Sequence, residues 1–209
     1  MLKLGVLAKA FKVKKVEPET TFELNGSLDE LSKSFNKNAK LSPFLNTGLM
    51  INGQVMTLKS SAVYKGKQTL LRDIVQTKDI DNSFYLTSNE LKDWKYLKGA
   101  KKIERTDSKG FVYTYSEGSM SFPDSLEKPS RTIITGEGGP APSRFKHVIK
   151  QRNKYRRLTP VELERLNMFP DNHTKLDGIT DSKRAFFMGN ALVVGVIEKI
   201  GSTLLKSID

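Results

Sequence analysis

The residues whose types and spacing best suit a specific chemistry are cations. Seven lysines and arginines fall within residues 144–157, and no acidic residue occurs from Gly138 to Val161. Each contacted phosphate of a nucleic acid releases counterions, so such a density suits a phosphate backbone. Glycines at 136, 138 and 139 precede the run and permit close backbone approach. The run predicts phosphate contact, with a merely solvated basic face as the open alternative. Its cations are Arg144, Lys146, Lys150, Arg152, Lys154, Arg156 and Arg157.

The residue types that the chain lacks narrow the chemistry further. It has no cysteine, which excludes disulfides, thiolate metal sites and a cysteine nucleophile within these 209 residues. It has two histidines, His147 and His173. We therefore expect no metal site, and a Ser-His-Asp arrangement would have to use one of the two. We interpret both as structural or surface residues.

The overall charge agrees with a nucleic-acid partner. Thirty-five Lys and Arg against 23 Asp and Glu give a formal net charge of +12. Such an excess is typical of nucleic-acid-binding domains, although a basic protein without a specific partner is the alternative. No RNA-binding module is recognisable. No stretch approaches 18 consecutive apolar residues and the N-terminus does not resemble a signal peptide, so we predict a cytoplasmic protein without a membrane partner.

The elements that must position these residues are short and mixed. Leu4–Phe11 predicts a strand, and a capping box of Ser27 and Glu30 predicts a helix. Asn52-Gly53 predicts a hairpin with a type I′ turn. Its facing residues are expected to be Leu49 and Ile51 on one strand and Val55 and Thr57 on the other.

The middle of the chain continues this mixture. Thr87 and Glu90 predict a second capped helix that carries Trp94 inward. A second hairpin is predicted over residues 101–115. A Gly-, Ser- and Pro-rich stretch follows, interrupted by a predicted short strand at Arg131–Thr135. The pattern is that of a loop-rich α+β structure.

The last third changes to helices. Thr159 as N-cap, Pro160 at N1 and Glu162 at N3 predict a sharply defined helix start. A short helix is predicted from Asp181 to Phe187, broken by Gly189-Asn190. The final helix carries Val193, Val196, Ile197, Ile200 and Leu204 on one face. So much apolar surface predicts a packing partner.

Two motifs in this part of the chain carry a family resemblance. Arg156–Asp171 (RRLTPVELERLNMFPD) resembles the ninth conserved motif of DNA cytosine-5 methyltransferases, Arg-x-Leu-Thr-x-x-Glu-x-x-Arg-Leu-x-x-Phe-Pro, at every fixed position. Met188–Val194 (MGNALVV) resembles the tenth motif, Gly-Asn-Ala/Ser followed by a hydrophobic helix. Ser130–Ile149 resembles the end of the family's target-recognition region, and Ser42–Gly53 resembles the linker and first hairpin of one bacterial subgroup. The resemblance covers essentially the whole chain, firmly after residue 130 and loosely before it.

The motifs of the family's catalytic half are missing. The chain has no Phe-x-Gly-x-Gly loop, Pro-Cys, Glu-Asn-Val or Gln-x-Arg-x-Arg. The resemblance therefore implies the C-terminal part of a bacterial cytosine-5 methyltransferase, inactive alone. It is either the small subunit of a split enzyme, which the initial Met favours, or a piece of a longer polypeptide.

The resemblance also implies an architecture. It predicts an α+β fold in which a loop-rich recognition domain precedes C-terminal helices that dock on a partner's α/β methyltransferase domain. The expected domains are a connecting segment over 1–41, a target-recognition domain over 42–157, and motif IX and X helices over 158–209.

The implied site residues fall into two groups, with no catalytic residue in this chain. The DNA contacts are expected at Arg131, Thr132, Ile133, Gly138, Gly139, Arg144, Lys146, Arg156 and Arg165. S-adenosylmethionine, bound mainly by the partner, is expected beside Gly189, Asn190 and Ala191. Open alternatives are strand core for Thr132-Ile133, structural salt bridges for Arg156 and Arg165, and a simple helix break at Gly189.

The resulting hypothesis is a DNA-recognition subunit in the bacterial cytoplasm, associated with the nucleoid. It would bind a specific duplex site and support flipping of the target cytosine, while a catalytic half transfers the methyl group to C5. The alternative is a stand-alone sequence-specific DNA-binding protein, which would have to bury its final apolar helix internally.

Overall fold

The computed structural model describes residues 5–14, 17–39 and 41–207. The chain forms two compact units: unit 1 holds the residues up to Gly66 and those from Ile197 on, and unit 2 holds Lys67–Val196. Both units combine short helices with antiparallel strands, as the α+β prediction requires.

Unit 1 is built on a three-stranded antiparallel sheet in the order β1-β3-β2. Its elements are α1 (Val6–Ala10), β1 (Thr20–Glu23), α2 (Leu28–Ser34), β2 (Thr47–Ile51) and β3 (Gln54–Leu58). The predicted strand at Leu4–Phe11 is wrong over Val6–Ala10, and Leu4 lies outside the described residues. The five residues VLAKA lack the alternation of a strand and include two alanines, which favour a helix.

The first predicted hairpin and the Ser27–Glu30 capping box are confirmed. Asn52 and Gly53 have φ angles of 49° and 79°, as a type I′ turn requires. The predicted facing residues are wrong by one position. A two-residue turn pairs Ile51 with Gln54, which places Leu49 opposite Met56 and Met50 opposite Val55.

Among the described residues, unit 2 contains four α-helices, one 3₁₀ turn, two hairpins and the start of a further helix. Its elements are α3 (Leu71–Ile74), a 3₁₀ turn (Asn82–Phe84), α4 (Ser88–Lys98), β4 (Lys101–Thr106), β5 (Val112–Glu117), β6 (Val148–Gln151), β7 (Lys154–Arg157), α5 (Pro160–Leu166), α6 (Asp181–Asn190) and the first residues of α7 (Val194–Leu205). The capped helix α4, its buried Trp94 and the β4–β5 hairpin confirm the sequence predictions.

One strand prediction in unit 2 is wrong, and one hairpin was not predicted. Arg131–Thr135 forms no strand, and no strand of the described residues pairs with it. The β6–β7 hairpin, with Arg152 and Asn153 at φ 47° and 63°, was not predicted. Its turn lacks the glycine that marks the commonest type I′ turns.

The core of unit 2 joins the motif helices to the β6–β7 hairpin. The core side chains are Leu71, Val75, Ile149, Leu158, Leu163, Ala185 and Met188. The predicted domain boundaries each fall between elements that contact each other. In unit 1, a boundary at 41/42 would separate β1 from its neighbour β3. In unit 2, a boundary at 157/158 would cut between β7 and α5, which share a buried ion pair.

The last two helices differ from their prediction in one respect. Gly189-Asn190 does not break α6; the helix ends with Asn190, and Ala191 is extended at φ −80° and ψ 153°. Asp181–Leu205 is long and apolar enough on average to cross a membrane, by length and composition only, although it contains no long run of consecutive apolar residues. Since soluble core helices pass the same test, and α6 buries Arg184 in ion pairs, this is weak evidence for a membrane.

Candidate functional site

The start of α5 is organised by a fully buried ion pair. Thr159 caps the helix, and Glu162 completes the capping box. The two carboxylate oxygens of Glu162 accept from Arg156 at 2.6 Å and 2.9 Å, a bidentate geometry with both side chains inaccessible to solvent. Arg156 therefore joins β7 to α5. This geometry favours the salt-bridge alternative for Arg156, and its DNA contact stays a prediction.

A second buried carboxylate joins α5 to α6. Glu164 accepts from Arg184 at 3.0 Å and from the backbone nitrogens of Thr174 and Asn172 at 2.9 Å and 2.6 Å. Burial alone would raise the pKa of Glu164, but the hydrogen bonds from Thr174 and Arg184 outweigh it and lower that pKa below its usual value. The two motif helices are thus held as one body.

Arg165 has a mixed environment. It pairs with Asp171 at 2.6 Å and donates to the Ile74 carbonyl at 2.9 Å, and its side chain is 33% exposed. The structure thus supports an organising role for Arg165 and leaves part of its guanidinium at the surface.

The loop over residues 130–139 is held in place by hydrogen bonds with His147. Glu137 accepts from the His147 backbone nitrogen at 3.0 Å and lies 2.8 Å from Nδ1, while Nε2 lies 3.2 Å from the Ser130 hydroxyl. The Ser130 hydroxyl donates to the Arg131 carbonyl, so it is not set up as a nucleophile. His147 is therefore structural, as predicted.

Asp124 fixes the entrance of the same loop. It pairs with Arg131 at 2.7 Å and accepts from the Val148 backbone nitrogen at 2.9 Å. Burial opposes ionisation of Asp124, yet these donors lower its pKa below the usual value. Arg131 also donates to the Phe145 carbonyl. Its guanidinium is thus largely committed within the protein.

The tip residues of the loop differ in exposure. Thr132 is exposed, whereas Ile133 is half-buried against the core. Gly138 packs on the start of α6, where a Cβ would lie 2.7 Å from the Ser182 Cα. Gly139 has a φ of 80°, and its carbonyl accepts from Arg157 at 2.9 Å. Gly138 therefore serves close packing within the protein and Gly139 a left-handed backbone, whereas the Thr132 side chain is exposed.

The predicted cofactor residues lie against this loop. A Cβ on Gly189 would come within 2.4 Å of the Thr135 backbone. The absence of a side chain at Gly189 therefore allows the loop over residues 130–139 to lie directly on α6. Asn190 is exposed and donates to the Phe186 carbonyl at 2.9 Å. Ala191 is half-buried against the core. Of the three, Asn190 offers a polar group to solvent.

A groove of about 450 Å³ brings the two predicted groups together. Thr132, Ile133 and Arg165 line it together with Gly189 and Ala191, so DNA-side and cofactor-side candidates share one surface of unit 2. Among the residues that the structure describes, no group of three histidine, cysteine or acidic side chains could hold a metal ion.

Much of the basic run is engaged in contacts within the protein. Arg144 pairs with Glu117 at 3.1 Å and donates to the carbonyls of Leu97 and Gly99. Lys146 is buried and donates to the Ala141 carbonyl at 2.9 Å, and burial lowers its pKa. The charged groups of Arg144 and Lys146 are engaged by internal carbonyls, and their DNA contacts stay predictions. Lys150, Arg152 and Lys154 remain exposed on the hairpin that sequence reasoning missed.

Comparison with known proteins places the chain in a family. The model of C-5 cytosine-specific DNA methylases matches residues 11–206. The Type II methyltransferase M.Sau3AI of Staphylococcus aureus is 43% identical over 163 residues, which are 78% of this chain and 38% of that protein. The chain thus spans well under half the length of this relative.

Two solved structures resemble the chain at low sequence identity. The S. pombe Dnmt2 methyltransferase has a TM-score of 0.49 at 14% identity, and the match covers 74% of this chain and 51% of that one. The Entamoeba histolytica methyltransferase EhMeth has a TM-score of 0.47 at 11% identity, and the match covers 98% and 56%. Family membership depends on the two sequence matches. On their extent, the chain belongs to the C-5 cytosine-specific DNA methylase family.

Proposed function

We propose that this chain is the C-terminal, DNA-recognition part of a DNA cytosine-5 methyltransferase. It binds a duplex site and supports the flipped cytosine, while a catalytic part that carries the cysteine transfers the methyl group. The observation that carries the proposal is the contact of the Thr135 backbone with Gly189. This contact places the recognition loop (residues 130–139) directly on the end of α6, where the tenth motif begins. Residues facing the DNA and residues facing the cofactor thereby belong to one rigid surface.

The rigidity of the recognition loop supports this role. Glu137 and Asp124, both buried, tie its two ends to His147 and Val148. A loop ordered before binding loses little conformational entropy on contact with DNA. Exposed Thr132, at the edge of the groove, is our candidate for contact with bases beside the flipped nucleotide.

The end of α6 fits the edge of an S-adenosylmethionine site. Asn190 presents an exposed side-chain amide to a polar ligand, and the groove beside it has room for part of one. When bound, the cofactor supplies the methyl group. This chain's contribution is the Asn190 amide and the half-buried wall of Gly189 and Ala191, with most of the cofactor held by the partner.

The exposed apolar residues of α7 support the proposal that this chain binds a partner. Val196 and Ile197 are 40% and 43% exposed, and Leu204 and Leu205 are 46% and 67% exposed. A helix with this much exposed apolar surface gains free energy by packing against another surface. With no cysteine in the chain, we propose that the surface belongs to the part that carries the nucleophile.

Selection from a pool of random duplexes tests the recognition role. The chain is incubated with the pool and the bound duplexes are sequenced over repeated rounds. We expect enrichment of one short site, and weaker enrichment by a Thr132→Ala variant than by a Thr203→Ala control. Binding without any sequence preference would contradict the proposal. Strong selection that no catalytic partner converts into methylation would favour the stand-alone DNA-binding protein.

A further inference from the structure

The hairpin of β6 and β7 carries cations that the protein does not use internally. Four of the seven cations in the basic run, Arg144, Lys146, Arg156 and Arg157, donate to carbonyls or pair with buried acids. The other three, Lys150, Arg152 and Lys154, are exposed, and no ion pair joins them to another residue in the described parts of the chain. We call these three residues the hairpin tip.

The hairpin tip is held at a tight turn. Gln151 pairs with Lys154, and Arg152 and Asn153 between them have φ angles of 47° and 63°. Left-handed backbone is uncommon for an arginine, whereas asparagine and glycine adopt it readily. The turn therefore has an arginine where asparagine or glycine would adopt the left-handed backbone more readily. This arginine adds a third cation between Lys150 and Lys154 in the sequence.

The base of the hairpin is fixed by the body of unit 2. Gln151 donates to the Gln76 carbonyl at 2.8 Å, and the Tyr155 carbonyl accepts from Leu86 at 2.9 Å. The Tyr155 ring is stacked on Phe122 at 5.7 Å and 5°. These contacts hold the backbone of the hairpin that carries the three cations.

The surroundings of the hairpin tip are aromatic rather than acidic. Lys150 lies 5.7 Å from the Tyr155 ring and Lys154 lies 5.6 Å from the Tyr85 ring. Such contacts orient a lysine stem without neutralising its charge. Because Lys150 pairs with Tyr155 and Lys154 with Gln151, the two lysines extend from opposite faces of the hairpin, with Arg152 at the turn between them. Cations spread around a tip in this way, without an ion pair in the described parts of the chain, suit the spaced negative charges of phosphates.

We propose that the hairpin tip is a clamp for the phosphate backbone of duplex DNA. It contacts phosphates and not base edges, so it sets the position of the recognition loop on the duplex and adds affinity for any sequence. This inference rests on the proposed DNA-recognition function and narrows the phosphate contact predicted for the basic run to three of its seven cations.

The salt dependence of DNA binding tests the clamp. The test variant combines Lys150→Gln, Arg152→Asn and Lys154→Gln, and the control removes three other exposed cations of unit 2 through Lys78→Gln, Lys92→Gln and Lys95→Gln. Both variants have the same net charge. We expect the slope of log affinity against log salt to fall by about 2.7 in the test variant, roughly 0.9 for each phosphate that the variant no longer neutralises, and by far less in the control.

The outcomes separate the two proposals. If the unmodified chain binds no duplex, the proposed function fails. If it binds but the two variants reduce the slope equally, the effect is bulk charge and the clamp is refuted. Arg152→Asn alone gives a second readout. It should weaken DNA binding without lowering the thermal unfolding midpoint, whereas a structural role for Arg152 would lower that midpoint.

Discussion

The buried pair of Arg156 and Glu162 gives the sharpest prediction at the scale of single residues. Arg156→Met should destabilise unit 2 by about 3–5 kcal/mol, because it leaves the Glu162 carboxylate buried without a partner. Denaturant unfolding measures this change. The double variant Arg156→Met with Glu162→Leu should recover part of the stability. As a control, Lys33→Ala removes the exposed pair with Asp29 and should cost under about 1 kcal/mol.

Two helix glycines provide a matched test of the contact between the recognition loop and α6. Gly189→Ala would place a methyl group on the Thr135 backbone and should cost about 1–3 kcal/mol. Gly201→Ala, in α7, meets no atom within 4 Å and should stabilise by about 0.5–1 kcal/mol through its higher helix propensity. Thermal unfolding of both variants decides the matter. A stabilising shift for Gly189→Ala, like that expected for Gly201→Ala, would refute the close contact.

Residue roles were only partly predictable from the sequence. The caps at Thr87 and Thr159 follow from local spacing, since their partners lie three residues away. Whether a cation is buried depends on distant carbonyls: Arg144 is satisfied by Leu97 and Gly99, more than forty positions earlier. Density of charge in the sequence could therefore locate the basic run, but not separate its internal cations from its exposed ones.

At the scale of elements, α7 carries the prediction about the partner. The double variant Leu204→Ser with Leu205→Ser should leave the unfolding midpoint of the free chain within a few degrees, since both side chains are exposed. It should weaken binding to the catalytic part at least tenfold, because each buried leucine contributes about 1.5–3 kcal/mol. Titration of the partner measures this. Lys206→Ser, on the adjacent exposed residue, is the control, and an equal weakening by both variants would contradict docking through the leucines.

Elements with strong local signals were predicted, and those fixed by tertiary contacts were not. The Asn52-Gly53 turn and the capping boxes are each determined by residues that lie within a few positions of one another in the sequence. The β6–β7 turn at Arg152-Asn153 has no glycine, and its hairpin is fixed by contacts from Gln76 and Leu86. Arg131–Thr135 has the composition of a strand but lacks a neighbouring strand.

At the scale of the molecule, acid should unfold the protein through its buried carboxylates. The folded pKa values of Glu164 and Asp124 lie below their ordinary values of 4.5 and 3.8. The contribution of the two carboxylates to stability is therefore complete at a pH above their ordinary pKa values, and it is lost as the pH falls through their lower pKa values in the folded state. The unfolding free energy should decline below about pH 4.5 in denaturant titrations. Glu164→Gln should flatten this decline, and Glu127→Gln, on an exposed side chain, should not.

Methyl transfer distinguishes a recognition part of the enzyme from a chain that is active by itself. Tritiated S-adenosylmethionine and duplex DNA are supplied to this chain alone, to a cysteine-bearing methyltransferase part alone, and to the two mixed. We expect transfer to cytosine C5 only in the mixture, and loss of that transfer when the partner's cysteine is replaced by serine. Methyl transfer by this chain alone would refute the proposed function.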